Sequence, residues 1–181
     1  MTVEVRRLAR DDLRTLLGAI DRTEHVDVQY AVVDGALVEV PVFMEEIPPW
    51  DPVGDGPHTV SSHVRFATSV VDEHGGIVLG AYVDGAVVGE AIVAPSYEPP
   101  LAWFASLHVS RAHRRHGVAA ALWDECVRLA RESGATQLYV SATETGSAVG
   151  FYLSRGCRLA DPVHPRLFED EPEDIHLIID L

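Results

Sequence analysis

The sequence predicts an α/β or α+β fold formed by a single domain, and three observations support this. The chain has 181 residues, of which 47% are hydrophobic, and this suits one domain with a substantial core. Stretches with the alternating apolar period of strands are interspersed with stretches of helical period. Two Asp-Gly dipeptides separate β-rich runs, a strong signal for antiparallel hairpins. We therefore expect a mixed, mostly antiparallel sheet with flanking helices.

The first half of the chain contains a strand, two helices, a hairpin and a long loop. A strand is predicted over residues 3–8, followed by a helix that Asp11 and Asp12 cap and that runs to about residue 20. A hairpin turns at Asp34-Gly35. Prolines forbid regular structure over residues 41–58, where Trp50 is expected to anchor the loop. A helix over about residues 59–72 then ends at Gly75-Gly76.

The second half begins with a hairpin that turns at Asp84-Gly85. The predicted elements after it are a strand over 101–109, a helix over 117–133, a strand over 137–142, a short helix over 147–154 and a final strand from residue 174. The segment 161–173 is rich in proline and acidic residues, and we expect it to be an exposed loop.

Composition and charge exclude several classes of protein. The net charge is −14, which argues against nucleic acid as a partner, because phosphate binding needs clustered Lys and Arg. The acidity favours solubility, or alternatively attracts a cationic substrate. Cys126 and Cys157 have no metal-ligand spacing and fit a reducing compartment. The sequence has no secretory signal and no long apolar stretch, so we expect a cytoplasmic protein that has no membrane partner.

A basic segment between a strand and a helix is the most informative part of the sequence. The strand ends at Val109, and Gly117 opens an alanine-rich helix. The free backbone N–H groups and the dipole of a helix start bind anions such as pyrophosphate. An ordinary strand–loop–helix connection is the alternative interpretation. His113 and His116 have no third ligand nearby, so we predict no metal site. The loop's basic residues are Arg111, His113, Arg114, Arg115 and His116.

Two motifs in the second half resemble the GNAT superfamily of N-acetyltransferases. Residues 114–119 match its acyl-CoA pyrophosphate signature [RQ]-x-x-G-x-[GA]. Residues 148–157 are similar to its A-x-x-F-Y-x-x-x-G-[FC] segment. The similarity covers about residues 77–181. The stretch DGALVEVPV is also faintly similar to streptothricin acetyltransferases.

The resemblance implies a twisted sheet of about seven strands that is splayed between its two central strands, with acetyl-CoA in the gap. It implies one domain over residues 1–181, with a cofactor-binding core at about 77–181 and an acceptor-side part at about 1–76. The backbone of the central strand would hold the pantetheine arm, and the loop and helix start would hold the pyrophosphate. The hydroxyl of Thr145 would bind the cofactor in place of the Asn that the family often has at this position. The implied cofactor-binding residues are Leu107, His108, Val109, Arg114, Arg115, His116, Gly117, Val118, Ala119, Ala120 and Thr145.

The resemblance also implies catalytic residues. Tyr152 would protonate the leaving thiolate, a role that suits a phenol with a pKa of about 10. Many family members carry a glutamate base on the central strand, but this strand has no carboxylate. Glu90, which lies in an apolar strand, His108 and Glu144 are the candidate bases, and a water chain without a single base is a fourth alternative.

We therefore predict transfer of the acetyl group of acetyl-CoA to a primary amine of a small molecule, by direct attack in a ternary complex. A non-catalytic CoA-binding module and an acetyltransferase of protein N-termini or lysines are the alternatives, and a homodimer stays open. Two acidic sets are candidates to bind a cationic acceptor. They are Glu45, Glu46, Trp50 and Asp51 in the proline-rich loop, and Glu169, Asp170, Glu171, Glu173 and Asp174 before the last strand.

Overall fold

The computed structural model describes residues 2–181 and contains one seven-stranded sheet and two small two-stranded sheets. The strands are β1 Glu4–Arg7, β2 Glu24–His25, β3 Gln29–Val33, β4 Ala36–Val40, β5 Glu46–Ile47, β6 Ile77–Val83, β7 Ala86–Glu98, β8 Leu101–Val109, β9 Gln137–Ala142, β10 Arg158–Leu159 and β11 Ile175–Asp180. The α-helices are α1 Leu13–Gly18, α2 Val60–His74, α3 Val118–Glu132, α4 Gly146–Ser154 and α5 Pro165–Asp170.

The large sheet has the strand order β1-β6-β7-β8-β9-β11-β10. Every neighbouring pair is antiparallel except β8 and β9, which are parallel. Strands β3 and β4 form a separate hairpin, and β2 pairs with β5. The predicted mixed, mostly antiparallel sheet is therefore confirmed.

Two layers of helices cover the two faces of this sheet. One hydrophobic cluster joins α1, α2 and α5 to residues such as Ile92 and Trp103. The other joins α3 and α4 to residues such as Ala91 and Phe104. Neighbours along one strand thus belong to opposite clusters, as the alternation of side chains requires. This explains why the central strands are apolar along nearly their whole length.

The parallel pair β8–β9 separates partway along its length. The last paired residues are Phe104 and Val140, whereas β8 continues to Val109. The register between β7 and β8 also shifts where Ile92 faces Ser106 and Val93 faces Phe104, so Ala105 is an extra residue. Such a bulge bends its strand. Residues 106–109 of β8 therefore pair with β7 but turn an open edge toward β9.

The structure differs from the predicted elements in three places. The expectation of no regular structure over residues 41–58 was wrong, because Glu46 and Ile47 form β5 and pair with β2. The predicted helix over residues 11–20 is a 3₁₀ turn at Arg10–Asp12 followed by the short α1, and no aspartate side chain caps it. The expectation of an exposed loop over 161–173 was wrong, because this segment contains α5, whose Leu167 is buried. Both Asp-Gly hairpins are confirmed. None of the helices in the described part of the chain has the length and hydrophobicity that crossing a membrane requires.

Candidate active site

A cavity of about 420 Å³ lies where β8 and β9 separate. We call it the central cavity. Helix α2, strands β8 and β9, helix α4, the proline-rich loop and the segment before β11 all contribute to its wall. The lining residues that carry polar or aromatic groups include Trp50, His63, Ser106, His108, Tyr152 and Asp174.

Glu90 lies beside this cavity and is 0% exposed. Its Oε1 atom accepts hydrogen bonds from His108 Nδ1 at 2.7 Å, from Ser106 Oγ at 2.8 Å and from His63 Nε2 at 3.1 Å. Its Oε2 atom is buried and has no partner among the described residues. Because one carboxylate oxygen accepts from both rings, each histidine keeps its other ring nitrogen as an acceptor.

The hydrogen bonds in this cluster set the charges of its members. Burial alone would raise the pKa of Glu90, but the bonds from His108 and His63 outweigh burial and hold it well below its usual range. For His108 burial is the larger effect, and its pKa is lowered although Glu90 acts in the opposite direction. At neutral pH the cluster therefore consists of an ionised carboxylate and a neutral His108 ring.

His63, Glu90 and His108 also form a group of potential metal ligands whose atoms lie within 4.8 Å of one another. A tetrahedral zinc site with bonds of about 2.1 Å separates its ligand atoms by about 3.4 Å. The 2.7 Å between His108 and Glu90 is shorter than this and is typical of a charge-assisted hydrogen bond. We therefore describe the group as a hydrogen-bonded cluster.

An aromatic stack covers this cluster. The Trp50 ring lies parallel to the His63 ring at 4.7 Å and edge-on to the His108 ring at 5.3 Å. The Arg22 guanidinium lies 3.9 Å from the centre of the Trp50 ring. Trp50 is the expected anchor of the loop, whereas neither His63 nor Arg22 was predicted. The signal for His63 is its position between Val60 and Ala67 on the buried stripe of α2.

Tyr152 reaches the central cavity from the opposite side of the sheet. It lies on α4, is 6% exposed and packs near Phe104 and Trp123. Burial raises the pKa of its hydroxyl far above the usual value, and the nearby Cys157 and Cys126 contribute in the same direction. The phenol therefore stays protonated throughout the physiological range.

The open edge of β8 and the start of α3 fit an extended acyl-CoA. Leu107, His108 and Val109 lie on the part of β8 that β9 does not pair. Arg115 and Gly117 both have positive φ, of 62° and 83°. The residue between them, His116, does not have positive φ. An alternation of negative and positive φ along the backbone turns successive N–H groups to one side, where they can bind an anion. The remaining predicted positions are His116, which is exposed, Val118, which is buried in the core, and Ala119 and Ala120, which are partly buried.

The first hydrogen bond inside α3 runs from the N–H of Ala121 to the carbonyl oxygen of Gly117 at 3.0 Å. The N–H groups of the residues before Ala121 in the first turn have no such partner within the helix. A pyrophosphate held at this helix start would therefore meet unpaired donors and the positive end of the helix dipole.

The structure places two predicted cofactor residues in other contacts. The Arg114 guanidinium donates to the carbonyl oxygens of Val109 and Arg22 and to the carboxylate of Glu24, at 2.9 to 3.0 Å. These contacts pair its charge with Glu24 and hold the side chain against the segment that contains Arg22 and Glu24. Thr145 is 1% exposed, and its hydroxyl caps α4 by accepting from the N–H of Ala148.

Two of the predicted acidic residues line the central cavity, namely Glu171 and Asp174. Burial raises the pKa of both, and the pKa of Asp174 reaches about 7 because Glu171 and Glu144 add repulsion. In the described part of the chain neither carboxylate has a cationic partner. The third candidate base, Glu144, accepts from Gln29 Nε2 at 3.0 Å and does not line the cavity.

The acidic residues of the proline-rich loop lie outside the cavity. Glu46 is exposed and contacts His25 at 2.7 Å, and Asp51 is exposed and holds the loop to the start of α2 through backbone bonds. Glu45 is also exposed. Of the acceptor set predicted in this loop, the structure brings only Trp50 to the cavity.

Comparison with solved structures shows the same fold throughout the chain. A nourseothricin acetyltransferase superposes with a TM-score of 0.69 at 22% identity, over 98% of this chain and 96% of the other. A putative streptothricin acetyltransferase from Bacillus anthracis in complex with acetyl coenzyme A gives 0.65 at 15% identity, over 100% and 98%. The PaiA N-acetyltransferase from Thermoplasma acidophilum in complex with coenzyme A gives 0.63 at 12% identity, over the full length of both chains.

No curated protein sequence matches this chain. The family model of the acetyltransferase (GNAT) family, in contrast, matches residues 42–157, which is more than half of the chain. This range includes the loop at Gly117, the open edge of β8 and Tyr152. The chain belongs to the GNAT family of acetyltransferases, and acetyl-CoA is its co-substrate.

Proposed function

We propose that the protein acetylates a primary amine of a small molecule by direct attack in a ternary complex. The observation that carries this proposal is the central cavity, because a hydrogen-bonded His108–Glu90 pair lies on one side of it and Tyr152 on the other. Acetyl-CoA supplies the acetyl group as a thioester. The chain itself supplies a proton acceptor for the amine and a proton donor for the sulfur.

His108 is the proposed base. An aliphatic ammonium with a pKa of about 10.4 is almost fully protonated at pH 7, so it must lose a proton before it attacks. Glu90 accepts from His108 Nδ1, which leaves Nε2 to take the proton from the amine, directly or through water. Glu90 itself is buried and ionised, and it orients the ring. This arrangement replaces the strand glutamate that many family members use.

Tyr152 is the proposed acid. As the amine nitrogen forms its bond to the carbonyl carbon, the carbon–sulfur bond breaks and the thiolate needs a proton. A buried phenol of raised pKa is fully protonated and next to the cavity, so it can donate this proton. His108 takes the first proton of the ammonium before the attack, and the phenol proton of Tyr152 ends on the sulfur. The nitrogen still carries a surplus proton after it has bonded to the carbonyl carbon, and the loss of this proton restores the phenol and leaves the neutral amide. His108 then releases its proton to solvent.

The acceptor is proposed to carry a second positive charge. Glu171 and Asp174 are partly buried in the cavity wall without a cationic partner, and buried charges are normally paired. An amine with a second ammonium group would pair with them while its reacting amine lies near His108. The acceptor side would thus combine residues 1–76 with the segment before β11, and the cofactor side would lie in the rest of residues 77–181.

The sequence contains fourteen arginines and no lysine, so no side-chain amine of the protein competes with the added amine for the acetyl group. The acceptor can therefore be tested directly. Thiol release from acetyl-CoA is measured with alkyl monoamines and with diamines of equal length. We expect turnover with both and roughly 10-fold higher kcat/KM with the diamines. Acetyl-CoA binding without turnover on any amine would contradict the proposal, and equal rates would contradict its second charge.

A further inference from the structure

Arg22 is half-buried at the edge of the hydrogen-bonded cluster of His63, Glu90 and His108, and in the described part of the chain it makes no ion pair with a carboxylate. Its guanidinium stacks on Trp50 at 3.9 Å, and its Nε donates to the carbonyl oxygen of Pro48 at 2.9 Å. Arg22 therefore holds the proline-rich loop at two points, on either side of the Pro49–Trp50 bond. We propose that Arg22 is a positioning residue that fixes Trp50 over His63 and His108 and thereby holds His108 in its catalytic orientation.

The contacts beyond Trp50 form an unbroken series to the proposed base. Trp50 stacks on His63 at 4.7 Å, His63 donates to Glu90 at 3.1 Å, and His108 donates to the same Glu90 oxygen at 2.7 Å. A shift of the tryptophan ring would uncover both histidines and admit water to a carboxylate that is now dry. The stack thus controls the surroundings of His108, and Arg22, which does not line the cavity, acts through it.

Arg22 is itself held by the cofactor loop. Its carbonyl oxygen accepts from the Arg114 guanidinium at 2.9 Å. Glu24 joins Arg114 to the start of α4, because its carboxylate accepts from Arg114 at 2.9 Å and from Ser147 Oγ at 2.5 Å. The arginine of the pyrophosphate signature therefore supports the segment that carries Arg22. Arg114 therefore has a structural role that is independent of any contact with a phosphate.

The charge of Arg22 also acts on His108. The charged and titratable groups that face His108 are Glu90 from β7, His63 from α2 and Arg22 from the segment before β2. Glu90 raises the pKa of His108, whereas His63 and Arg22 lower it, and burial lowers it most. Loss of the guanidinium charge and of the tryptophan cover would therefore both raise the pKa of His108.

This inference rests on the proposed role of His108, and one experiment tests it without turnover. The titration of His108 is followed by NMR in the free protein, and its resonance is identified by its loss in His108→Gln. We expect Arg22→Met to raise the midpoint by roughly half a pH unit, and Arg22→Lys, which keeps the charge and the stack, to restore most of it. Arg6→Met is the matched control, because Arg6 stacks on Tyr82 at 4.8 Å far from the cavity.

Kinetics give the second readout. We expect Arg22→Met to lower kcat/KM for the amine by roughly 10-fold and to move the acid limb of the pH profile upward, with Arg22→Lys between it and the wild type. An unchanged His108 midpoint in a folded Arg22→Met protein overturns the inference, whereas failure of the wild type to acetylate amines overturns the proposed function alone. If Arg22→Met does not fold, Trp50→Phe replaces it, and the same midpoint decides.

Discussion

His108 Nδ1 lies 2.7 Å from Oε1 of Glu90, and the two residues are directly paired across β7 and β8. The backbone register of the two strands therefore places these side chains next to each other. Side chains of directly opposed residues share one face of a sheet, and here that face is covered by α2, which adds His63. The proposed base and its orienting carboxylate thus lie on two neighbouring strands of the large sheet.

His108→Gln should lower kcat/KM for the amine by roughly 10² or more, because it removes the proton acceptor. In the wild type the rate falls as the pH drops through the pKa of His108, where the ring takes up a proton. Burial lowers this pKa, so the acid limb should lie below the ordinary histidine range. A pH–rate profile from pH 5 to 9 checks this, and an unchanged acid limb in the variant would assign the base to another group.

Glu90→Gln should move the acid limb to lower pH, because Glu90 raises the pKa of His108 and its removal lets burial act alone. The weaker base should reduce the plateau rate by roughly 10-fold. Profiles of the two proteins, each first checked for folding by thermal unfolding, provide the comparison. A shift of the limb to higher pH would mean that Glu90 does not act through His108.

Tyr152→Phe should lower kcat by roughly 10² while the KM for acetyl-CoA changes little, because the hydroxyl acts on the leaving group. Tyr97→Phe is the matched control, since Tyr97 is also a buried tyrosine and its hydroxyl makes no hydrogen bond in the described structure. Steady-state kinetics of both variants check this. Similar kcat values for the two variants would remove Tyr152 from the mechanism.

Gly117→Ala should weaken CoA binding by roughly 5- to 10-fold, because an alanine at a φ of 83° strains the backbone that presents the N–H groups. Gly134→Ala is its control, because Gly134 has a φ of 86° and an added Cβ would meet nothing within 4 Å at either glycine. Both variants should lose about 1 kcal/mol of stability. Calorimetric CoA titration should separate them, and equal affinities would place the pyrophosphate elsewhere.

Asp174→Asn should stabilise the free protein at pH 8 while it raises the KM for a diamine. The pKa of Asp174 is raised from 3.8 to about 7 in the folded state, chiefly by burial. Between these values the unfolded chain binds fewer protons than the folded one, so the free energy of unfolding falls as the pH rises and stays low above pH 7. The gain should be about 1 to 2 kcal/mol at pH 8 and should vanish near pH 4.

Asp170→Asn is the control for this change. Asp170 is a nearby exposed aspartate outside the cavity wall, and its substitution removes the same charge from the protein. Urea unfolding at several pH values and diamine kinetics measure the two effects. If Asp170→Asn raises the KM as much as Asp174→Asn does, general attraction by the net charge, rather than a specific contact, selects the acceptor.

The sequence was sufficient for the parts of the structure that local rules govern. The hairpins at Asp34-Gly35 and Asp84-Gly85 follow from turn chemistry, and the start of α3 after Gly117 follows from a glycine that a positive φ requires. The prediction that Asp11 and Asp12 cap the first helix failed, because both residues lie in a 3₁₀ turn. The prediction of an exposed loop before β11 failed, because the charged residues of this segment hid the signal of its one buried leucine, Leu167.

The site was predictable only where its residues lie in one motif or on one strand. Glu90 and His108 were separate alternatives in the sequence, and only the register of β7 and β8 makes them one unit. His63 and Arg22 come from distant segments, and contacts between such segments depend on packing that no local pattern encodes. The side chain of Arg114 is the clearest case, because its motif position suggested a phosphate and its partners are Glu24 and two carbonyl groups.

The separation of β8 from β9 has a consequence for protein engineering. Beyond the Phe104–Val140 pair, residues 105–109 of β8 face the gap with backbone groups that β9 does not pair, and every amino acid except proline provides both an N–H and a C=O group. Side-chain replacements on the opposite wall, at Glu171, Asp174 or the loop around Trp50, should therefore redirect the enzyme to other amines and leave its affinity for acetyl-CoA unchanged. The fold thus offers a fixed donor half and an exchangeable acceptor half within one cavity.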